Sequence, residues 1–435
     1  MTTSNEIENQ KLARLDWIRQ VYNSDPEAIS QAASDEHLLD NTNFDLKTFI
    51  ETYRPLTKLK EARGELDFRL ENVRHEHADV TFVDLYLGDE HIFEAYVRFE
   101  AELPCHVMYW MSYPPLPDGV TIRKYEAKDA AKCVELERAC PMEMLDGSTW
   151  VIDRGKYFDD YLALMAGLDA AVVESEERIV GFYDCALRPI SYQGNPDSYC
   201  VYQHHYRVHP DFRAGSVSQA LASFVDPRRT FADYDVQFPY SMVDPNNAHL
   251  QNMGFPPVPD VSIARLSIPV TAGDLHNEWL ENEPNAISAL INSTHGDRSF
   301  FQPYTDEFLG ERTQRVPSYS MESFRRTESA VIGLWQVNER NYTVTGDDPK
   351  ELRLAFVMDY GYTTAEGLIS AVELISPEVA ANGATHLCFL CDTRAPEYEL
   401  LAEHADDVQT FALHTLPWLA EEFTREVLYC DAIYC

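Results

Sequence analysis

Tyr199–Phe224 reads YCVYQHHYRVHPDFRAGSVSQALASF, and the fold turns on how this stretch is read. Its first half, with Tyr199, Val201, Tyr206 and Val208, is of strand type, and Pro210 breaks it. A run of small residues follows, and Ala220, Leu221 and Phe224 then fall at helical spacing. A strand, a tight turn poor in bulky side chains and a helix N-terminus make a phosphate-binding arrangement for a physical reason. The first-turn amides have no intrahelical partner and the helix dipole adds partial positive charge. Ala214, Gly215, Ser216 and Ser218 leave room for an anion to approach the backbone.

Outward from this stretch, the N-terminal part, residues 1–115, has helical apolar spacing at Leu12–Tyr22 and Phe44–Tyr53. Alternating runs follow at Leu66–Val73, Val80–Leu87, Ile92–Phe99 and His106–Trp110, so an α+β accessory module with an antiparallel meander is expected. YPPLPDG (113–119) reads as a linker. From Val120 the pattern becomes a short strand, an amphipathic helix opened by Asp129, a second helical stretch at Phe158–Met165, and a hairpin of Ala170–Glu174 with Ile179–Leu187. After the opening stretch come a strand at Val236–Val243, a short helix ended by Gly254, and a strand at Ser262–Ile268.

The residues IRKYEAKDAAKCVELE (122–137), IVGFYDC (179–185), VHPDFRAGSVSQAL (208–221) and NNAHLQNMGF (246–255) stand in one order. In that order the segment from 120 to 270 resembles the Gcn5-related N-acetyltransferase (GNAT) superfamily. The family's turn reads V-x-P-x-x-R-G-x-G-x-G-x-x-L. Val208, Pro210, Arg213 and Leu221 match it, while Ala214, Ser216 and Ser218 replace the three glycines and Gly215 fills a variable position. The fold class expected is therefore α/β (α+β), a central GNAT-like mixed sheet flanked by helices. Residues 271–435 resemble a degenerate second GNAT-like copy. AVIGLWQV (330–337) stands for the hairpin strand, Leu352–Asp359 for the central strand and Glu426–Ile433 for a closing strand. MDYGYTTAEGL (358–368) there lacks both the arginine and the small-residue turn.

The resemblance implies attack of a substrate amine on the thioester of acetyl-CoA or another acyl-CoA, with a small-molecule primary amine as acceptor. The backbone at Val208 is expected to hold the pantetheine arm. Arg213 and the turn Ala214, Gly215, Ser216, Val217 and Ser218 are expected to hold the pyrophosphate, with Asn247 at the start of the short helix as a further contact or a cap. The family's usual tyrosine acid falls at Leu250. His204 and His205 are candidate bases because an imidazole titrates near neutrality, and alternation in a regular strand places them on opposite faces. Tyr206, two residues from His204, is then on its face and is the nearest candidate acid. Asp146, Asp153 and Tyr157 lie where the family builds its acceptor site. Arg207, Arg213, Arg228 and Arg229 are the basic residues near the turn.

Composition narrows the partners. Lys+Arg number 35 against 72 Asp+Glu, a net charge of -37, which repels nucleic acid and anionic membranes. The nine cysteines are read as buried free thiols. Cys388 and Cys391, in LCFLCD, would face opposite sides of a strand and neither ligate a metal together nor pair. No G-x-S-x-G, HExxH or GxxxxGK[ST] occurs, no metal is expected, and STHGDRS (293–299) reads as a polar loop. The N-terminus has no apolar signal core, so a cytoplasmic protein is expected; self-association into a homo-oligomer stays open. Two other function classes remain: an acyl-CoA decarboxylase on the same fold, and a non-catalytic binding or scaffold protein.

Overall fold

The computed structural model describes residues 4–22, 43, 56, 59–60, 63–64, 67–76, 80–100, 103–111, 116–143, 149–163, 165–192, 195–213, 216–225, 227–231, 233–243, 257–345, 350–415 and 420–431. The chain divides into two units, Met1–Pro115 and Leu116–Cys435.

In the first unit a helix, α1 (Ser4–Tyr22), precedes four strands: β1 (Phe68–Glu76), β2 (Val80–Leu87), β3 (Glu90–Glu100) and β4 (Leu103–Met111). They form an antiparallel meander in chain order. Gly88 takes φ 62° at the β2–β3 turn, a conformation open to glycine. Alternate strand residues Phe68, Val83, Leu85, Phe93, Ala95 and Val97 point inward onto Ile18 and Leu56. The expected helix at 44–53 lies outside the described residues.

Among the described residues, the second unit is built on one sheet of thirteen strands. Its N-terminal half supplies β5 (Val120–Lys124), β6 (Met142–Glu143), β7 (Thr149–Asp153), β8 (Gly167–Ser175), β9 (Arg178–Tyr192), β10 (Asn195–Val208), β11 (Val236–Val243) and β12 (Pro257–Pro269). Its C-terminal half supplies β13 (Phe324–Arg326), β14 (Ala330–Thr345), β15 (Lys350–Tyr362), β16 (His386–Asp392) and β17 (Asp407–Thr415). Helices cover both faces. α2 (Ala130–Ala139) and α3 (Phe158–Ala163) lie on the face of Val172 and Phe182, and α4 (Val217–Phe224) lies on the face of Val173, Tyr183 and Val208. In the C-terminal half α6 (Pro284–His295, after the short α5, Pro227–Thr230), α7 (Asp306–Arg315), α8 (Ala365–Ala381) and α9 (Tyr398–His404) do the same, and α10 (Ala420–Arg425) follows β17.

The halves exchange strands. β17 sits between β11 and β12, pairing Tyr240 with Thr415 on one side and Ile263 with Phe411 on the other. β12 in turn pairs with β16, Ala264 opposite Cys391. At the far end β7 pairs with β14, Ile152 opposite Tyr342. The sheet therefore runs unbroken past residue 270. β7 is a strand that alternation alone does not reveal, because it is five residues long and polar at both ends. Of Glu426–Ile433, expected as a closing strand, the described residues, Glu426–Asp431, do not form one. They make a single bridge, Ser299 with Leu428, in which the Ser299 amide donates to the Val427 carbonyl and the Tyr429 amide to the Ser299 carbonyl, both at 3.0 Å, while the Leu428 amide donates to Asp392 Oδ2 at 2.9 Å. Cys391 packs with Leu387 and Phe389 in one core cluster while Cys388 does not, as alternation requires. The eight described cysteines are all free thiols.

Candidate active site

The site is set by a splay between two parallel strands. β10 pairs with β11 from Tyr199–Val236 to Tyr202–Tyr240, and there the pairing stops. β11 continues to Val243 on β17, while β10 continues to Val208 on β9 alone. Among the described residues, the edge of β10 from Gln203 to Val208 has no strand beside it on the β11 side, and Ser241 Oγ reaches across to Gln203 Oε1 at 3.2 Å. A strand edge with no neighbouring strand is a place where an extended ligand can add in strand fashion. β15 and β16 repeat the geometry, paired from Leu354–His386 to Phe356–Cys388 and then apart.

At the end of the bared edge lies the turn. His209–Phe212 forms one 3-10 turn, Arg213 follows, and Ser216 precedes α4. Gly181 faces α4: a Cβ there would come within 2.9 Å of Leu221 Cδ1 and 3.0 Å of Val217 Cγ1, so the glycine sets how near the helix sits. Arg213 donates from Nε to the Val208 carbonyl at 3.1 Å, and the Cys140 thiol donates to the same oxygen at 3.4 Å. The carbonyl of Val208, whose backbone is expected to hold pantetheine, thus already accepts two hydrogen bonds. Ser218 is also turned inward, its Oγ 2.6 Å from the Tyr206 hydroxyl. Ala214 and Gly215 of the turn, Asn246 and Asn247, Leu250, Gly254–Phe255 and Asp146 lie outside the described residues, as do the side chains of Tyr157, Arg228 and Arg229.

The histidines correct the strand alternation. Opposite β9, His204 pairs with Asp184 and Arg207 with Phe182, so β10 carries one residue more than its partner. His205 sits in this bulge with φ 49°. The consequence is that His204 and His205 face the same side, the α3 side, and not opposite sides. Tyr206 is thrown to the other face, where it packs on Tyr183 at 4.9 Å between ring centres and donates to the Ser218 carbonyl at 2.5 Å. Tyr206 is therefore not beside His204. Burial raises the Tyr206 pKa, with the Ser218 hydrogen bond opposing.

Sequence reasoning passed over Asp184, a carboxylate inside the apolar strand IVGFYDCAL and 0 % exposed. That was the available signal, since an acid seldom enters such a run unpartnered. His204 Nδ1 lies 3.0 Å from Asp184 Oδ1, and His205 Nδ1 lies 3.1 Å from Asp184 Oδ2. The two Nδ1 atoms are 2.6 Å apart. Tyr161, Phe158, Phe182 and Tyr202 enclose the rings. Burial pushes the Asp184 carboxyl up, against the charges of His204, Arg154 and Arg207. Arg154 is itself buried, ion-paired with Glu137 and stacked over Tyr161. Asp153 is not free for a cationic substrate: it takes both prongs of Arg138, at 2.8 and 2.9 Å.

The C-terminal half fills the matching place. Its central strand also carries a bulge, with Asp359 opposite Gly333 and Val357 opposite Leu334. Asp359 holds Arg312 and the hydroxyls of Tyr304 and Tyr319, and Arg312 also grips Asp431 at 2.9 Å. The first turn of α8 is capped by Thr364, which accepts from the Gly367 amide. His295, expected in a polar loop, is the buried last residue of α6 and lies 2.8 Å from the Tyr360 carbonyl.

No protein-family model matches the chain, and no curated protein sequence matches it. Among solved structures, N-myristoyltransferase of Saccharomyces cerevisiae with bound myristoyl-CoA is 11% identical, with TM-score 0.49 over 70% of this chain and 84% of that one. A GCN5-related N-acetyltransferase from Sphaerobacter thermophilus is 15% identical, with TM-score 0.43 over 69% and 96%. A third structure, a putative acetyltransferase from Pyrococcus horikoshii, is 10% identical, with TM-score 0.44 over 74% and 97%. The half with the bared β10 edge is the one that carries the histidine pair.

Proposed function

We propose that this protein is an acyl-CoA-dependent N-acyltransferase whose donor is acetyl-CoA and whose acceptor is the primary amine of a small molecule. The observation that carries this reading is the end of β10–β11 pairing at Tyr202–Tyr240, which bares a strand edge leading straight to the turn before α4. Pantetheine, an amide-bearing chain, suits such an edge, and the turn suits a pyrophosphate. Residues 120–270 are the acyl-CoA half, 271–435 a second copy whose pocket is filled by Arg312, and 1–115 an accessory module.

The amine nitrogen attacks the thioester carbonyl carbon, the C–S bond breaks, and the coenzyme A thiolate leaves. The ammonium proton passes to the Asp184–His204–His205 centre, and the departing sulfur takes a proton from solvent or from that centre. Arg213 and the turn hold the pyrophosphate. A second reading, a fold kept for binding without catalysis, draws on the burial of both imidazoles, with side chains 6% and 5% exposed. Calorimetry with acetyl-CoA, followed by thiol release with a panel of amines, tests both. Binding and amine-dependent thiol release support the transferase. Carbon dioxide from malonyl-CoA favours a decarboxylase, binding without turnover favours the non-catalytic reading, and no binding overturns both enzymatic readings.

A further inference from the structure

We propose that Asp184, His204 and His205 form a binding site for a divalent transition-metal cation of the zinc class. The three groups offer ligand atoms within 4.8 Å of one another, and all three residues are buried. Their separations are 2.6, 3.0 and 3.1 Å, a closed triangle of two Nδ1 atoms and a carboxylate. Each Nδ1 has one in-plane lobe, which holds either a proton or a lone pair. With Asp184 ionised, hydrogen bonds cannot satisfy all three sides of such a triangle. One protonated nitrogen leaves the other imidazole facing the carboxylate lone pair to lone pair, and two protonated nitrogens oppose their protons. Asp184 Oδ1 accordingly has no hydrogen bond of acceptable geometry despite its nearness to His204, and His204 Nε2 is buried without a partner.

A cation resolves the conflict, because all three lone pairs then point at one centre about 2.0–2.2 Å from each. Two imidazoles and one carboxylate are a zinc-class donor set with a position left for a fourth ligand. The bulge at His205 is what builds it, since φ 49° is the strained step that brings adjacent histidines to one side. With the cation bound, both Nδ1 lone pairs are committed. Water on the remaining position then replaces imidazole as the proton acceptor, a consequence that rests on the acyl-transfer reading, whereas the binding itself does not.

The test uses the full chain, stripped with a chelator and titrated with zinc against a chromophoric chelator, and separately loaded with cobalt. About one zinc per chain is expected, with a visible cobalt ligand-field band. His205→Gln and His204→Gln, checked for an unchanged circular dichroism spectrum, are each expected to weaken binding by about a hundredfold or more. His209→Gln is expected to leave it unaltered. Zinc should raise the melting temperature of the native chain but not of the two variants. Absence of stoichiometric binding, or binding that survives both substitutions, overturns the site. Acetyl-CoA calorimetry on the same samples keeps the outcomes apart: coenzyme binding without zinc binding sinks only the cation site, and the reverse sinks only the acyl-transfer reading.

Discussion

His204 and His205 are neighbours in the chain, yet their Nδ1 atoms lie 2.6 Å apart on one side of the sheet, against a single carboxylate. One extra residue in β10 causes this. In a regular strand one of the two would face α4, and substituting it would leave the site untouched.

The pair should therefore fail together. His204→Ala and His205→Ala are each expected to lower kcat for amine-dependent thiol release by about 10²-fold or more, with the Kd for acetyl-CoA little changed. If either variant turns over at the native rate, the shared centre is not the proton acceptor.

The approach of α4 to β9 depends on Gly181, where a Cβ would meet Leu221 and Val217 at 2.9 and 3.0 Å. Gly181→Ala is expected to cost about 1–3 kcal/mol of stability and, by displacing the turn, to raise the Kd for coenzyme A. An unchanged Kd in a folded variant would show that the turn does not hold the cofactor.

Arg213 reaches the turn from an exposed position, anchored by its Nε on the Val208 carbonyl. Arg213→Ala is expected to weaken coenzyme A roughly tenfold, about 1.4 kcal/mol. On the proposed contact with phosphate, desulfo-coenzyme A should lose as much and pantetheine nothing.

In the C-terminal half, Arg312 is 1% exposed and holds Asp359 and Asp431. Arg312→Ala leaves two buried carboxylates without their cation, at a cost of about 3–5 kcal/mol. Urea denaturation reads this directly. Coenzyme A affinity of the folded fraction should be retained, because the network belongs to the half without the turn.

Acid should destabilise the protein in two steps. Burial, helped by the charge of Arg298, pushes the His295 imidazole down to about 3, against Glu397 and the Tyr360 carbonyl. The unfolded chain takes up that proton near pH 6.5 and the folded one does not, so stability falls from about pH 6.5 downward, by at most about 1.4 kcal/mol per pH unit. Burial alone would raise the Glu397 carboxyl, but the Arg298 and Tyr360 hydrogen bonds bring it down to about 2. Its contribution is full above about pH 4.5 and is lost as the pH falls toward 2. Thermal melts from pH 7.5 to 4 should show the first decline in the native chain and a flatter profile in His295→Gln. Identical profiles would place the acid sensitivity elsewhere.

Much of the architecture was legible. Val236–Val243 is a strand with the expected ends. The meander of β1–β4 follows from alternation broken at Gly88–Asp89. The strand exchange was not legible: which strand lies beside β11 depends on how the apolar faces of two halves are matched, and β17 is as apolar a neighbour as β12. Nor was the engagement of Ser218 with Tyr206, since a serine at a helix start reads the same whether its hydroxyl faces a ligand or the core.

The stretch Tyr199–Phe224 by itself determined a strand, a small-residue turn and a helix, because Pro210, side-chain bulk and apolar spacing act within a few residues. Only the tertiary structure decided what that strand presents. Period-two alternation holds while the ladder is unbroken, and a bulge is a property of two strands in register rather than of one sequence. Pairing with β9 placed the extra residue at His205, brought it beside His204 over Asp184, and sent Tyr206 to the opposite face.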